Sequence, residues 1–271
     1  MSDHFVSMGD EEFINEAINL VNIFEQNGLK LRILGGVAAY IKAKDNNESM
    51  NILKSLKRFG DGKPLFTDLD FIGYKKESSK ISKKFEELGF NPDKVINGFF
   101  GDKRLIFYHP KGLFQIDIFL DNLEFSHSVY FSNRLELCSP TITVTDLVLE
   151  KLQIHQINHK DLVDLILVFH SHDVVNKFER EKIDGSYISK ILSDDWGFWY
   201  DATSNLKKVL DLLNLEFSKG TIPKGNYEKT ISRINYLLSL IDSEPKTKKW
   251  LKRSKKGIDK PWYNEVEEVT R

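Results

Sequence analysis

The segment from Phe114 to Leu120 leaves the chain the least freedom. Its even positions, Phe114, Ile116, Ile118 and Leu120, are all apolar, and Gln115 and Asp117 alternate with them before Asp121 follows. Alternation with a period of two is strand geometry, so one pleat face packs in a core and the other meets a cleft or solvent. A second strand, expected from Phe66 to Tyr74, carries Asp68-Leu69-Asp70. Both carboxylates then share one face, and Leu69 and Phe71 point to the other.

Around these strands the spacing predicts a helix from Glu11 to Glu25 and a short strand Leu31-Arg32-Ile33-Leu34. That strand ends at Gly35-Gly36, after which a helix starts over Val37 to Lys44. The lysine-, asparagine- and glycine-rich stretch from Lys44 to Pro64 reads as a surface excursion around a helix from Met50 to Phe59. A helix over Ser79 to Leu88 and strands near Phe90 to Asn97, Arg104 to His109 and Leu113 to Leu120, the last containing the alternating segment, complete the first half. Beyond Pro140 the periodicity is helical throughout: Thr145 to Gln156, Lys160 to His172, Asp184 to Leu192, Asp194 to Phe217 and Tyr227 to Ile241. Strands mixed with helices, then helices alone, predict an α+β catalytic-type core over residues 1–140 and an α-helical C-terminal domain over 141–271. A chain of 271 residues is long enough for both.

Asp68 and Asp70 are forced close together, an arrangement that repulsion and desolvation make costly unless a cation sits between them. Mg²⁺, a hard ion, takes such oxygens together with the phosphates of a substrate. Asp117 offers a third carboxylate if its strand neighbours theirs, enough for ions that clamp both oxygens of an in-line displacement. Gly35-Gly36, between a strand and a helix, lets backbone N–H groups approach a phosphate, although a Gly-Gly pair also serves as a plain turn. Lys151 projects from the apolar stripe of its helix and so needs an anion: a triphosphate, a carboxylate, or a route past the core edge to solvent. Asp161 and Asp164 are neighbours beside the stripe Leu162, Leu165, Ile166 and Phe169, where either could orient Lys151 or join the acidic site. A favourable charge at a helix N-terminus explains Asp161 equally well.

In order, Leu34-Gly35-Gly36, Thr67-Asp68-Leu69-Asp70-Phe71 and Gln115-Ile116-Asp117-Ile118-Phe119 resemble the nucleotidyltransferase superfamily with the DNA polymerase β type of palm. Glu150-Lys151-Leu152 followed by Lys160-Asp161-Leu162-Val163-Asp164-Leu165 is similar to the toxin-like branch of AbiEii and MenT proteins. The likeness runs from about Leu31 to Phe169. It implies a mixed sheet with flanking helices, metal ligation by Asp68, Asp70 and Asp117, and a triphosphate cradle at Gly35 and Gly36. It further implies a triphosphate contact from Lys151 and a catalytic part for Asp161. The implied cofactor is Mg²⁺, with Mn²⁺ as a substitute. The implied substrate is an NTP whose nucleotide passes to an acceptor hydroxyl on tRNA, another RNA or a protein, and a cognate antitoxin is an implied partner. The charged 32-residue step from Gly36 to Asp68 and the lysine at Lys160, where the branch more commonly has arginine, depart from the pattern. They bear on substrate choice, as a lid or partner contact would, and remove no catalytic group. A catalytically silent nucleotide-binding or antitoxin-like module, or a metal-dependent phosphohydrolase or nuclease, would use the same residues.

With 39 basic against 40 acidic residues the chain is neither a globally basic nucleic-acid coat nor an acidic solubiliser. One exception is local: Lys246, Lys248, Lys249, Lys252, Arg253, Lys255, Lys256 and Lys260 lie against the single acid Asp259. Trp250 and Trp262 flank the run as candidate base-stacking groups, and the plain alternative is a solvated or frayed terminal helix. Trp196, Phe198, Trp199 and Tyr200 are expected to anchor the C-terminal helices. His155, His159, His170 and His172 lack the companions of a zinc site, and Cys138 reads as a packing residue. A single cysteine, no apolar run of membrane-spanning length and no signal-peptide pattern at the start predict a cytoplasmic, non-membrane protein.

Overall fold

The structure, a computed structural model, describes residues 8–58 and 64–265. Along the chain run α1 (Asp10–Gln26), β1 (Leu31–Ile33), α2 (Gly35–Ala43), α3 (Asn47–Leu56), β2 (Asp68–Gly73), α4 (Ser78–Glu87), β3 (Asn91–Pro92), α5 (Lys94–Phe100), β4 (Arg104–Tyr108) and β5 (Gln115–Leu120). There follow β6 (Asn122–Glu124), β7 (Ser128–Tyr130), α6 (Val144–Leu152), α7 (His159–Ser171), β8 (Val174–Val175), β9 (Ile183–Asp184), α8 (Gly185–Asp194), α9 (Trp196–Ser218), α10 (Lys224–Ser243) and α11 (Lys248–Ser254). The chain is thus a mixed α and β protein, and it divides into two compact units. Of the described residues, the first takes 8–41, 64–123 and 130–142; the second takes 42–58, 124–129 and 143–265.

In the first unit a five-stranded mixed sheet has the order β1-β2-β5-β4-β3. The central pair β2 and β5 is parallel, and the other pairings are antiparallel. The alternation read from the sequence settles the faces: Leu69, Phe71, Ile116, Ile118 and Phe107 are fully buried on one side. Phe85 of α4 lies 5.0 Å from Phe107 and 4.7 Å from Phe24 of α1, so those two helices contribute to the core beside these strands. Gly73 permits that closeness, since a Cβ there would stand 2.8 Å from Ile81 of α4. At the outer edge of β1, the backbone of Ile33 donates to Pro140 and accepts from Ile142.

The strand expected from Phe90 to Asn97 is corrected to a two-residue β3 and the helix α5. Val95 and Ile96 look strand-like, but Asp93 caps a helix by accepting from both of their N–H groups, at 3.1 and 3.0 Å. Asn97 then bonds both backbone groups of Ile106, blunting an open edge of β4.

The second unit is a helical assembly whose core includes Leu147, Val148, Leu152, Ile166, Ile188, Leu206, Ile234 and Leu237. Polar residues start its helices: Thr143 for α6, Asn158 for α7, Asp184 for α8 and Asp195 for α9 each accept an N–H from the first turn. Two expectations need correction here. The region after Pro140 is not helical throughout, because β8 and β9 form a two-residue parallel pair. Nor is the stretch from Lys44 a surface excursion, because α3 buries Ser49, Ile52, Leu53 and Leu56 in this unit. Phe59, the expected end of that helix, lies outside the described residues, as does the opening segment before Met8.

Candidate functional site

The first unit carries the glycine corner and the three aspartates singled out above, the aspartates on two adjacent strands. Asp70 of β2 and Asp117 of β5 are direct register partners, and Asp68 pairs with Gln115. Neighbouring partners in a sheet point the same way, so Asp68, Asp70, Gln115 and Asp117 occupy one face, opposite the buried side. The Leu34 N–H donates to the Asp70 carbonyl at 2.9 Å, so the chain leaves β1 beside that carboxylate pair. Gly35 follows with φ of 66°, a left-handed conformation that favours glycine, and opens α2. The first-turn N–H groups of α2 therefore start within a residue of the strand position that carries Asp70.

The three carboxylates sit in different surroundings. Asp68 is exposed and accepts from the Thr67 hydroxyl at 3.0 Å. Asp70 is half-buried, and Asp117 is only 6% exposed. Arg104 of β4 holds one Asp117 oxygen through Nη2 at 2.9 Å and Nε at 3.1 Å, and the Gln115 amide donates to the other at 3.0 Å. The guanidinium of Arg104 also lies over the Phe119 ring, 5.3 Å from its centre. Burial pushes the Asp117 carboxyl above the usual carboxylate range; Arg104 and Gln115 pull it back only in part, and the negative charge of Asp68 pushes it further up.

All three donors are hard oxygens on one face, the ligand type Mg²⁺ requires. Among the described residues, however, no three histidine, cysteine, aspartate or glutamate side chains are gathered into a metal-holding group. The donor set fits a divalent ion by chemistry, and full use of Asp117 in it requires Arg104 to give way.

Lys151 and Asp161 belong to the second unit. The Lys151 ammonium is buried and lies 2.8 Å from Asp161 and 3.1 Å from Asp164, both on α7. Asp164 in turn accepts from Arg58 Nε at 2.6 Å and Nη2 at 3.0 Å. Two cations and two anions thus form a buried quartet joining α6, α7 and Arg58, two residues beyond the end of α3. Burial alone would lower the Lys151 pKa, but Asp164 and Asp161 together raise it. Burial likewise opposes ionisation of Asp164, and Lys151 and Arg58 overcome it and hold the carboxyl below its usual range. Of the alternatives for Lys151, the anion is a pair of carboxylates, and the ammonium does not snorkel to solvent. Arg58 was missed by sequence reasoning: it follows Lys57 in a charged, glycine-rich stretch and carries no signal that distinguishes it from a surface residue.

The four histidines go to different partners. His155 bonds Asp201, His159 the Leu56 carbonyl, His170 the Ser49 hydroxyl, and His172 the carbonyls of Glu181 and Lys42. Burial pushes His170 down to about 4, with the positive charge of Lys229 acting in the same direction. Cys138 is buried, and its carbonyl accepts from the Arg32 guanidinium. Compared with known proteins, the chain matches no protein-family model, no curated protein and no solved structure. No helix among the described residues is long and apolar enough to cross a membrane.

Proposed function

We propose that the first unit carries the active site of a divalent-metal-dependent nucleotidyltransferase that moves a nucleoside monophosphate from an NTP to an acceptor hydroxyl. The observation that carries this reading is the direct register of Asp70 with Asp117, with the Leu34-Gly35-Gly36 corner bonded to the same residue of β2. Acids on a sheet face and the N-terminal end of a helix are two halves of a triphosphate site, one for cations and one for phosphate oxygens.

Gly35 and Gly36 would cradle phosphate oxygens, and Asp68 and Asp70 would hold the ion-bearing end of the triphosphate. A bound Mg²⁺ would supply neutralisation of the charge that develops on the phosphates. Asp117, with its raised proton affinity, would accept the proton of the acceptor hydroxyl as that oxygen bonds the α-phosphorus. The bond from the α-phosphorus to the bridging oxygen breaks, and pyrophosphate leaves. Lys151 and Asp161, already satisfied in their quartet, are not needed for these steps.

One observation favours a second reading. Arg104 already pairs with Asp117, an arrangement that a nucleotide-binding module without turnover would tolerate. Incubation with each α-labelled NTP, Mg²⁺ and either RNA or protein acceptors separates the two. The first reading expects label on an acceptor with stoichiometric pyrophosphate, reduced at least about 100-fold in Asp68→Ala/Asp70→Ala. Equal transfer by wild type and double variant would overturn it, and NTP binding without transfer to any acceptor would select the second.

A further inference from the structure

The basic run near the C-terminus is neither frayed nor a base-stacking strip. Trp250 packs edge-on against Trp199 of α9, with ring centres 5.1 Å apart, and Arg253 lies over Trp196 at 4.7 Å. Trp262 packs against Trp196 and Tyr200 and donates its indole N–H to Asp201 at 3.1 Å. Asp201 is buried and also holds His127 at 2.8 Å and His155 at 3.0 Å, and His155 stacks on Tyr263 at 3.6 Å. A Cβ on Gly197 would collide with the Trp262 carbonyl, so this glycine permits the tail to lie directly on α9. Both tryptophans expected to stack on bases are therefore spent inside the second unit.

What they leave outward is a stripe of charge. Lys248, Lys252 and Lys255 recur at i, i+4 and i+7, Lys255 and Lys256 keep right-handed helical backbone angles beyond α11, and Lys260 follows. All five are exposed, and none makes an ion pair with a described residue. Lys249, by contrast, pairs with Asp194, and Lys246 caps the carbonyls of Ile241 and Glu244. A free tail would spread such like charges apart. Here an aromatic clamp fixes them at short spacing, and a polyanion laid along the stripe would relieve the repulsion by displacing the small counterions that otherwise screen it.

We propose that this lysine face is a docking surface for the sugar-phosphate backbone of a nucleic acid. Regularly spaced ammonium groups, on a segment whose tryptophan rings are packed against other rings of the second unit, suit phosphates more than bases. An anionic membrane fits less well, because Trp250 and Trp262, which would anchor at a lipid interface, pack against Trp199, Trp196 and Tyr200, and leave Leu251 and Ile258 as the exposed large apolar side chains of the segment. The inference is independent of nucleotidyl transfer.

The test is anisotropy of a short fluorescein-labelled oligoribonucleotide, titrated with the full chain over a range of salt. Replacing Lys248, Lys252, Lys255, Lys256 and Lys260 by alanine is expected to weaken binding at least tenfold and to reduce the slope of log Kobs against log salt by about 3. The same five changed to arginine are expected to keep both, and Asp68→Ala/Asp70→Ala is expected to bind as wild type does. An equal loss on replacing Lys80, Lys83, Lys111, Lys219 and Lys224 would overturn the proposal, since net charge alone would then explain binding. So would wild type that ignores the oligonucleotide and binds phosphatidylserine vesicles, or loss of binding in the Asp68/Asp70 variant.

Discussion

Asp117 in the first unit and Asp164 in the second are both buried aspartates bonded to an arginine, yet their proton affinities move in opposite directions. Asp164 meets two cations, Arg58 and Lys151, each at 3.1 Å or closer and each inside the core. Asp117 meets one guanidinium, itself 32% exposed, and an amide, while the negative charge of Asp68 on the same face opposes them. Burial taxes both carboxylates, so the number and depth of the opposing charges decide the sign. The comparison separates a constellation whose charges are already satisfied from one that gains by taking up a cation or a proton. The same resemblance suggested roles for both groups, and only the charge balance distinguishes them.

The largest expected effect falls on the satisfied group. Asp164→Ala leaves Arg58 and Lys151 buried with a single carboxylate, and breaking a buried pair from one side typically costs about 3–5 kcal/mol. Urea unfolding should show that loss with little change in slope. A loss under about 1 kcal/mol would mean that the quartet is hydrated, and the contrast with Asp117 would weaken. A smaller effect is expected at the glycine corner, where Gly35→Ala forces a side chain into the left-handed region at about 1–2 kcal/mol. If the corner cradles phosphates, the same change should raise KM for the NTP more than it lowers kcat. Unchanged KM would make Gly35 a plain turn.

Much of the first unit was legible before any coordinates. Alternation in Phe114 to Leu120 and the Asp-Leu-Asp spacing are local signals, and they specified which side chains share a face. Adjacency of β2 and β5 was conditional, since pairing between segments nearly fifty residues apart is decided by the whole sheet. Arg104 could not be assigned to Asp117 for the same reason: a cross-strand neighbour is named only once register is known. The strand misread at Phe90 to Asn97 shows the converse, where β-branched Val95 and Ile96 outweighed the capping signal of Asp93. In the second unit the helices were readable from periodicity, but the partners of Lys151 included Arg58, which no periodicity marks. The tail kept its charge pattern and lost its proposed base-stacking tryptophans, because aromatic residues pack wherever a partner surface exists.

The smallest effect is the one that tests the comparison by sign. Asp164 has a folded pKa below its unfolded value, so its contribution to stability is present above about pH 4 and is lost as pH falls through the lower folded value. Asp117 has a folded pKa above its unfolded value. The folded state therefore binds more protons in that window, and stability falls as pH rises from about 4 through the raised value. Asp117→Asn removes the second dependence while keeping oxygen and amide groups for Arg104 and Gln115. Relative to wild type, the variant should gain stability on going from pH 4 to pH 7, by roughly 1 kcal/mol or less. Saturating Mg²⁺ should shrink that gain if Asp117 takes part in holding the ion, because a bound cation offsets the buried charge that asparagine deletes. Thermal melts of both proteins at the two pH values, with and without Mg²⁺, measure all of this. A variant that loses stability on the same change of pH would show that Arg104 satisfies Asp117 as fully as Arg58 and Lys151 satisfy Asp164, and the distinction between the two sites would disappear.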